Sequence, residues 1–131
     1  DDRGILVRAG VLIARAPNDF AIYSGDDMTC VASIMLGFHG NISVTANVAP
    51  RLMHEMCVAA AAGNVAKARE IHFKLLGLHR DLFCEANPIP VKWAVEQLGL
   101  MPGGIRLPLT ALSEANHAKV RAAMQQAGLL A

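Results

Sequence analysis

Phe20-Ala-Ile-Tyr-Ser-Gly-Asp-Asp-Met-Thr-Cys-Val-Ala-Ser-Ile-Met-Leu-Gly-Phe-His-Gly-Asn-Ile-Ser-Val-Thr45 is the stretch on which the fold turns. Phe20 to Ser24 is short, aromatic and β-branched, and it stops at Gly25, which predicts a strand. Met28 to Leu36 is an apolar run closed by Gly37 and Gly40, which predicts a helix and its end. Asn41 to Thr45 predicts a second strand. Strand, helix and strand within about 25 residues leave room for the ~10–12-residue crossover that parallel pairing requires. The two strands are therefore expected to run parallel.

Upstream, Ile5 to Arg15 reads as a helix ended by Pro17. From Pro50 onward no strand signal remains. Leu52, Met53, Met56, Cys57 and Ala60 recur at helical spacing. Gly63 ends that helix and Asn64 is placed to cap the next, whose stripe is Ile71, Leu75, Leu78 and Leu82. Pro88 and Pro90 break the chain before a helix from Val91 to Leu98. Ser113 is expected to cap a last helix carrying Val120, Ala123 and Met124, stopped by Gly128.

Two parallel strands cannot build a core, because parallel sheets need several strands and helices on their faces. Residues 1–49 are therefore expected to be the closing α/β units of a larger structure. Residues 50–131 are expected to be a helical domain. The C-terminal part of a (β/α)8 barrel, its last two parallel strands followed by helices, fits this order. The opening Asp1-Asp2, without an initiator Met or a leader pattern, reads as a piece of a longer polypeptide.

Composition narrows the function. Hydrophobic residues are 53% and charged residues 18%, enough apolar material for a core and too much for wholesale disorder. The net charge of +1 is built from interspersed signs, which argues against nucleic acid or an anionic membrane as partner. The apolar run from Ile5 to Ala16 carries Arg8 and Arg15 and is too short to span a bilayer. Cys30, Cys57 and Cys84 form no CxxC pair, so buried thiols are expected rather than disulfides or zinc.

In such barrels chemistry sits at the C-terminal ends of the strands. That rule selects Ser24-Gly25-Asp26-Asp27 and Ile42 to Asn47. Gly25 allows a ligand close to the backbone. Ser43, Thr45 and Asn47 offer small polar groups. By spacing, Asp26 and Asp27 read as caps of the following helix before they read as catalytic acids. His54-Glu55 opens an HExxH pattern that fails at Val58. His72 and His79 read as a solvated polar face or a subunit contact. His39 and His117 have no evident partner, and Trp93 reads as packing. No metal site is indicated.

Ser24-Gly-Asp-Asp27, Gly37-Phe-His-Gly-Asn-Ile-Ser-Val-Thr-Ala-Asn-Val48, Asn87-Pro-Ile-Pro-Val-Lys-Trp-Ala94 and Arg106-Leu-Pro-Leu109, in that order and spacing, together resemble the dihydrodipicolinate synthases of the pyruvate-dependent class I aldolase and N-acetylneuraminate lyase superfamily. The resemblance runs from Asp1 to Leu130. It departs most in the first helix, with Gly10 and several added aliphatic residues.

This resemblance implies a cytosolic homotetramer that condenses pyruvate with aspartate 4-semialdehyde through a lysine imine, with no cofactor. It implies that the Schiff-base lysine immediately precedes Asp1, so Lys67, Lys74, Lys92 and Lys119 are not nucleophiles. The backbone of Ile42 is implied at the pyruvate site. Gly25, with Asp26 beside it, is implied where the second substrate lies. Leu36 is implied at a subunit interface, and the N-terminal remainder of the same barrel is an implied partner. A sister Schiff-base aldolase such as N-acetylneuraminate lyase is the alternative within the superfamily. A non-catalytic helical interaction module is the alternative outside it.

Overall fold

A computed structural model describes residues 3–131. Asp1, Asp2 and the lysine expected before them lie outside the described residues. Helix α1 (Arg3–Arg15) leads into strand β1 (Tyr23–Ser24), helix α2 (Cys30–Met35) and strand β2 (Gly40–Asn41). A 3-10 turn (Thr45–Asn47) follows, and then helices α3 (Pro50–Ala61), α4 (Val65–Asp81), α5 (Ile89–Gln97) and α6 (Glu114–Gln126).

The strands pair in parallel, Tyr23 with Gly40 and Ser24 with Asn41, as the βαβ reading requires. Both are shorter than expected. The predicted second strand from Asn41 to Thr45 ends after Asn41 because side chains take over its backbone donors. The Thr45 N–H donates to Asp27 Oδ2 at 2.9 Å, and the Ala46 N–H donates to Ser43 Oγ at 3.0 Å. The chain is drawn into a turn in place of a ladder.

The core lies mainly in the helical half. Met53 and Met56 of α3 pack with Ile71, Leu75 and Leu78 of α4 and with Val120 and Met124 of α6. A smaller cluster of Ile34, Ala59, Ala60 and Ala68 ties α2 to α3 and α4. The stripe predicted for α4 is thus the buried one. Asn64 caps α4, accepting from the Lys67 N–H at 3.1 Å. Ser113 is the N-cap of α6, as expected, but its side chain accepts no cap bond from the helix backbone. Its hydroxyl and N–H are instead directed to Glu85 Oε1.

Helix α1 buries Ala9 and leaves Ile5, Val7, Val11 and Leu12 exposed. An apolar face of that kind has nothing to cover it within residues 3–131. No helix among the described residues is long and apolar enough to cross a membrane.

Candidate functional site

At the exit of β1, Ser24 is buried and closes a tight turn. Its Oγ accepts from the Asp26 N–H at 3.1 Å and donates to the Asp26 carbonyl at 3.2 Å. The Asp26 carboxylate then accepts from the N–H and the hydroxyl of Thr29, at the start of α2. Asp26 therefore braces the turn into α2, whose N-cap is Thr29, and does not itself take the cap position expected of it. Gly25 stands open between these two, and a Cβ there would meet nothing within 4 Å.

Asp27 does not cap the helix, contrary to the expectation that paired it with Asp26. Its side chain turns inward and is 2% exposed. Oδ1 accepts from Asn41 Nδ2 at 2.7 Å and Oδ2 from the Thr45 N–H at 2.9 Å. A carboxylate at one strand exit thus holds both ends of the segment leaving the next strand. Burial of the charge is offset by these two donors, as buried carboxylates require.

Thr45 is fully buried and its Oγ1 shares a 3.0 Å hydrogen bond with Nδ1 of His79 on α4. His79 is 1% exposed, which overturns its reading as part of a solvated face. It lies one turn beyond Leu75 and beside Leu78, inside the apolar arc of α4. Burial pushes its pKa down to about 4, against the opposing charge of Asp27, so the ring is neutral at pH 7. His72 is next to it, with ring centroids 5.3 Å apart, and its pKa is also lowered by burial. Among the described residues Nε2 of His79 has no hydrogen-bond partner.

Gly25 and Ile42 directly follow the last paired residues of β1 and β2, Ser24 and Asn41. The Ile42 N–H donates to the Ser24 carbonyl at 2.8 Å, continuing the parallel register past the strand ends. Their surroundings differ. Gly25 and Asp26 line a cleft of about 360 Å³ with Arg8, Leu12 and Phe38. Ile42, 75% exposed, lines another of about 400 Å³ with Ser43, Asn47, Asn87 and Lys92. Sequence reasoning assigned Asn87 and Lys92 no part here, although both stand in the Asn87-Pro-Ile-Pro-Val-Lys92 segment. Leu36 is the exposed C-cap of α2, outside both clefts.

The remaining candidates are structural. Asn47 Nδ2 donates to the Val44 carbonyl at 3.1 Å. His39 Nδ1 accepts from the Ile22 N–H at 3.1 Å. His117 stacks on Trp93 with centroids 4.7 Å apart, and Trp93 packs against the core as expected. Lys67 pairs with Glu70 on the surface at 3.1 Å. Cys30 is buried and burial raises its thiol to about 12, while Cys57 and Cys84 are only partly buried and are raised by the same cause. None is a ready nucleophile near neutral pH. Among the described residues no three His, Cys, Asp or Glu side chains gather to hold a metal ion.

Residues 5–127 match the Dihydrodipicolinate synthetase family. The chain is 77% identical over 131 residues to a 4-hydroxy-tetrahydrodipicolinate synthase of Dechloromonas aromatica, covering 100% of this chain and 45% of that protein. It is 66% identical to the synthase of an Azoarcus species, again over 45% of the relative. The chain therefore spans about half the length of the curated relatives it matches. Its structure resembles a chloride-inhibited dihydrodipicolinate synthase from Acinetobacter baumannii complexed with pyruvate. The TM-score is 0.91 at 46% identity, over 95% of this chain and 43% of that one. The Aquifex aeolicus enzyme matches with a TM-score of 0.90 at 40% identity, over 95% and 42%.

Proposed function

Because the chain belongs to the dihydrodipicolinate synthetase family, as the closing strands of a (β/α)8 barrel with its helical extension, we propose that it completes a 4-hydroxy-tetrahydrodipicolinate synthase. The whole protein condenses pyruvate with L-aspartate 4-semialdehyde. A lysine amine directly upstream of Asp1 adds to the pyruvate ketone and expels water, leaving an iminium. The C3 proton departs to a base, the electron pair moves toward nitrogen, and the resulting enamine attacks the aldehyde carbon.

One observation carries this reading. The parallel pairing of Ser24 with Asn41 brings the residues that follow them, Gly25 and Ile42, to the C-terminal strand ends, where the Ile42 N–H donates to the Ser24 carbonyl at 2.8 Å. Ile42 there serves pyruvate, and Gly25 with Asp26 serves the aldehyde. Residues 1–49 act as barrel and residues 50–131 as helical domain. The uncovered face of α1 takes the N-terminal remainder of the barrel as its partner. Leu36, exposed on α2, serves a homotetramer contact in the cytoplasm.

The test is borohydride trapping on the full-length protein. Pyruvate is expected to leave a reduced adduct on the lysine preceding Asp1, and condensation is expected with aspartate 4-semialdehyde and not with an amino-sugar aldehyde. Turnover of the sugar alone would mark a sister aldolase. No adduct at all would leave only a helical interaction module.

A further inference from the structure

Building on the functional reading above, we infer that His79 of the helical extension is a positioning residue for the pyruvate side of the site, acting through Thr45 on the backbone at Ile42.

The geometry is a short chain of contacts. Asp27, at the exit of β1, bonds Asn41 at 2.7 Å and the Thr45 N–H at 2.9 Å. Ile42 lies between those two anchors and is itself held to Ser24 at 2.8 Å. Thr45 is the outer anchor. Its N–H is taken by Asp27, and its hydroxyl is taken by His79 at 3.0 Å. The sequence separation from Thr45 to His79 is 34 residues, so a side chain from α4 sets the exit of a barrel strand. Asp27, Thr45 and His79 are all buried by this chain alone, so the arrangement does not depend on the rest of the barrel.

Filling space does not explain a histidine here. A leucine at 79 would occupy the same apolar arc without a buried ring nitrogen, and among the described residues Nε2 of His79 is left unpartnered. A buried polar atom without a partner is costly. The compensating gain is at Nδ1, on Thr45. Loss of that bond frees the Thr45 hydroxyl in a dry site and loosens the outer anchor of Ile42. Asp26 keeps its own bonds to Ser24 and Thr29, so the turn that carries Gly25 is not moved.

Steady-state kinetics of the full-length enzyme test this, with pyruvate and the aldehyde varied separately and folding followed by circular dichroism. Thr45→Val and His79→Leu are expected to raise the pyruvate KM about tenfold, the effect of losing ~1.4 kcal/mol. The aldehyde KM should stay within about twofold, a difference of ~0.4 kcal/mol. Thr45→Ser should return the pyruvate KM toward that of the unaltered enzyme, and the Thr45→Val, His79→Leu double variant should be no worse than the worse single one. Should these variants fail to fold, His79→Asn and His79→Gln decide. Asn keeps a polar atom near the place of Nδ1 and should leave the pyruvate KM low, whereas Gln moves it toward Nε2 and should raise it. A fall in kcat with both KM values unchanged means lost folded enzyme and overturns the inference, as do independently additive effects. Unaltered enzyme that forms no imine with pyruvate overturns the functional reading as well. Active enzyme whose variants match it overturns this inference alone.

Discussion

Gly77 of α4 lies against Ala123 of α6 so closely that a Cβ built on it would stand 3.2 Å from the Ala123 Cβ and 3.3 Å from its Cα. The same Cβ would be 2.6 Å from Gln126 Oε1, whose amide donates to the Phe73 carbonyl at 3.1 Å. Two effects oppose each other in Gly77→Ala. Helix propensity favours alanine by ~1 kcal/mol, and overpacking costs ~1–3 kcal/mol. The Gln126 tip can swing away, but the α6 backbone cannot, so overpacking wins. Thermal melting of the full-length protein should show a small fall in Tm for Gly77→Ala and a larger one for Gly77→Val. A rise in Tm for both would mean that α4 and α6 do not pack this closely.

Glu85 is expected to hold the start of α6 in a pH-dependent way. Its carboxylate accepts from Asn116 Nδ2 at 2.8 Å and from the Ser113 N–H at 3.1 Å, as well as from the Ser113 hydroxyl. The Ser113 and Asn116 side-chain bonds hold its pKa below the usual 4.5. A lowered acid pKa means that the ionised form is favoured on folding, so the contribution is present above pH 4.5 and is lost as pH falls. Glu85→Gln should lower Tm at pH 7 and should converge on the unaltered protein in acid. A gap that stays constant from pH 7 to acid would show that charge at Glu85 contributes nothing.

The element order was legible because apolar spacing is a local property, and each break has a local signal in Gly37, Gly63 or Pro88. The parallel pairing was legible because the crossover length permits nothing tighter. Strand length was not, because Asp27 and Ser43 remove the Thr45 and Ala46 donors from any ladder, and such captures depend on where the carboxylate lands in space. His79 could have been found. It follows Leu75 by four residues, and that spacing places it on the buried arc, yet the nearby Arg69 and Arg80 suggested a wet face. Arg80 in fact extends outward and grips Asp81 through two bonds of 2.8 Å. Separate clefts for Gly25 and Ile42 depend on packing of α1 and α5, which no spacing rule reports.

Cys30 should resist alkylation in the native protein. Its thiol donates to the Asp27 carbonyl at 3.3 Å, and burial first, then the nearby Cys57 and Asp27, raise it to about 12. Since the thiolate is the reactive form, almost none exists at pH 8. Peptide mass mapping after brief iodoacetamide treatment should find Cys30 unmodified, and urea should expose it. Labelling of Cys30 at the rate of a free thiol in native buffer would contradict the packing of α2 against α3.

Protonation of His79 is expected to destabilise the fold below pH 6.5. Its ordinary pKa of 6.5 falls to about 4 in the folded state, chiefly through burial. Between those two values the unfolded chain binds a proton that the folded chain refuses, so stability rises with pH across the window. It is complete above pH 6.5, declines as pH falls toward 4 and levels off below. The steepest slope for one such group is ~1.4 kcal/mol per pH unit. His72 shifts in the same direction and adds to the decline. Urea unfolding of the full-length protein at pH 7, 6, 5 and 4 separates these contributions when repeated with His79→Asn. The unaltered protein should lose stability more steeply than the variant between pH 6.5 and 4. Parallel curves would mean that His79 takes up its proton without leaving its place beside Thr45, and the buried, neutral ring would have to be abandoned.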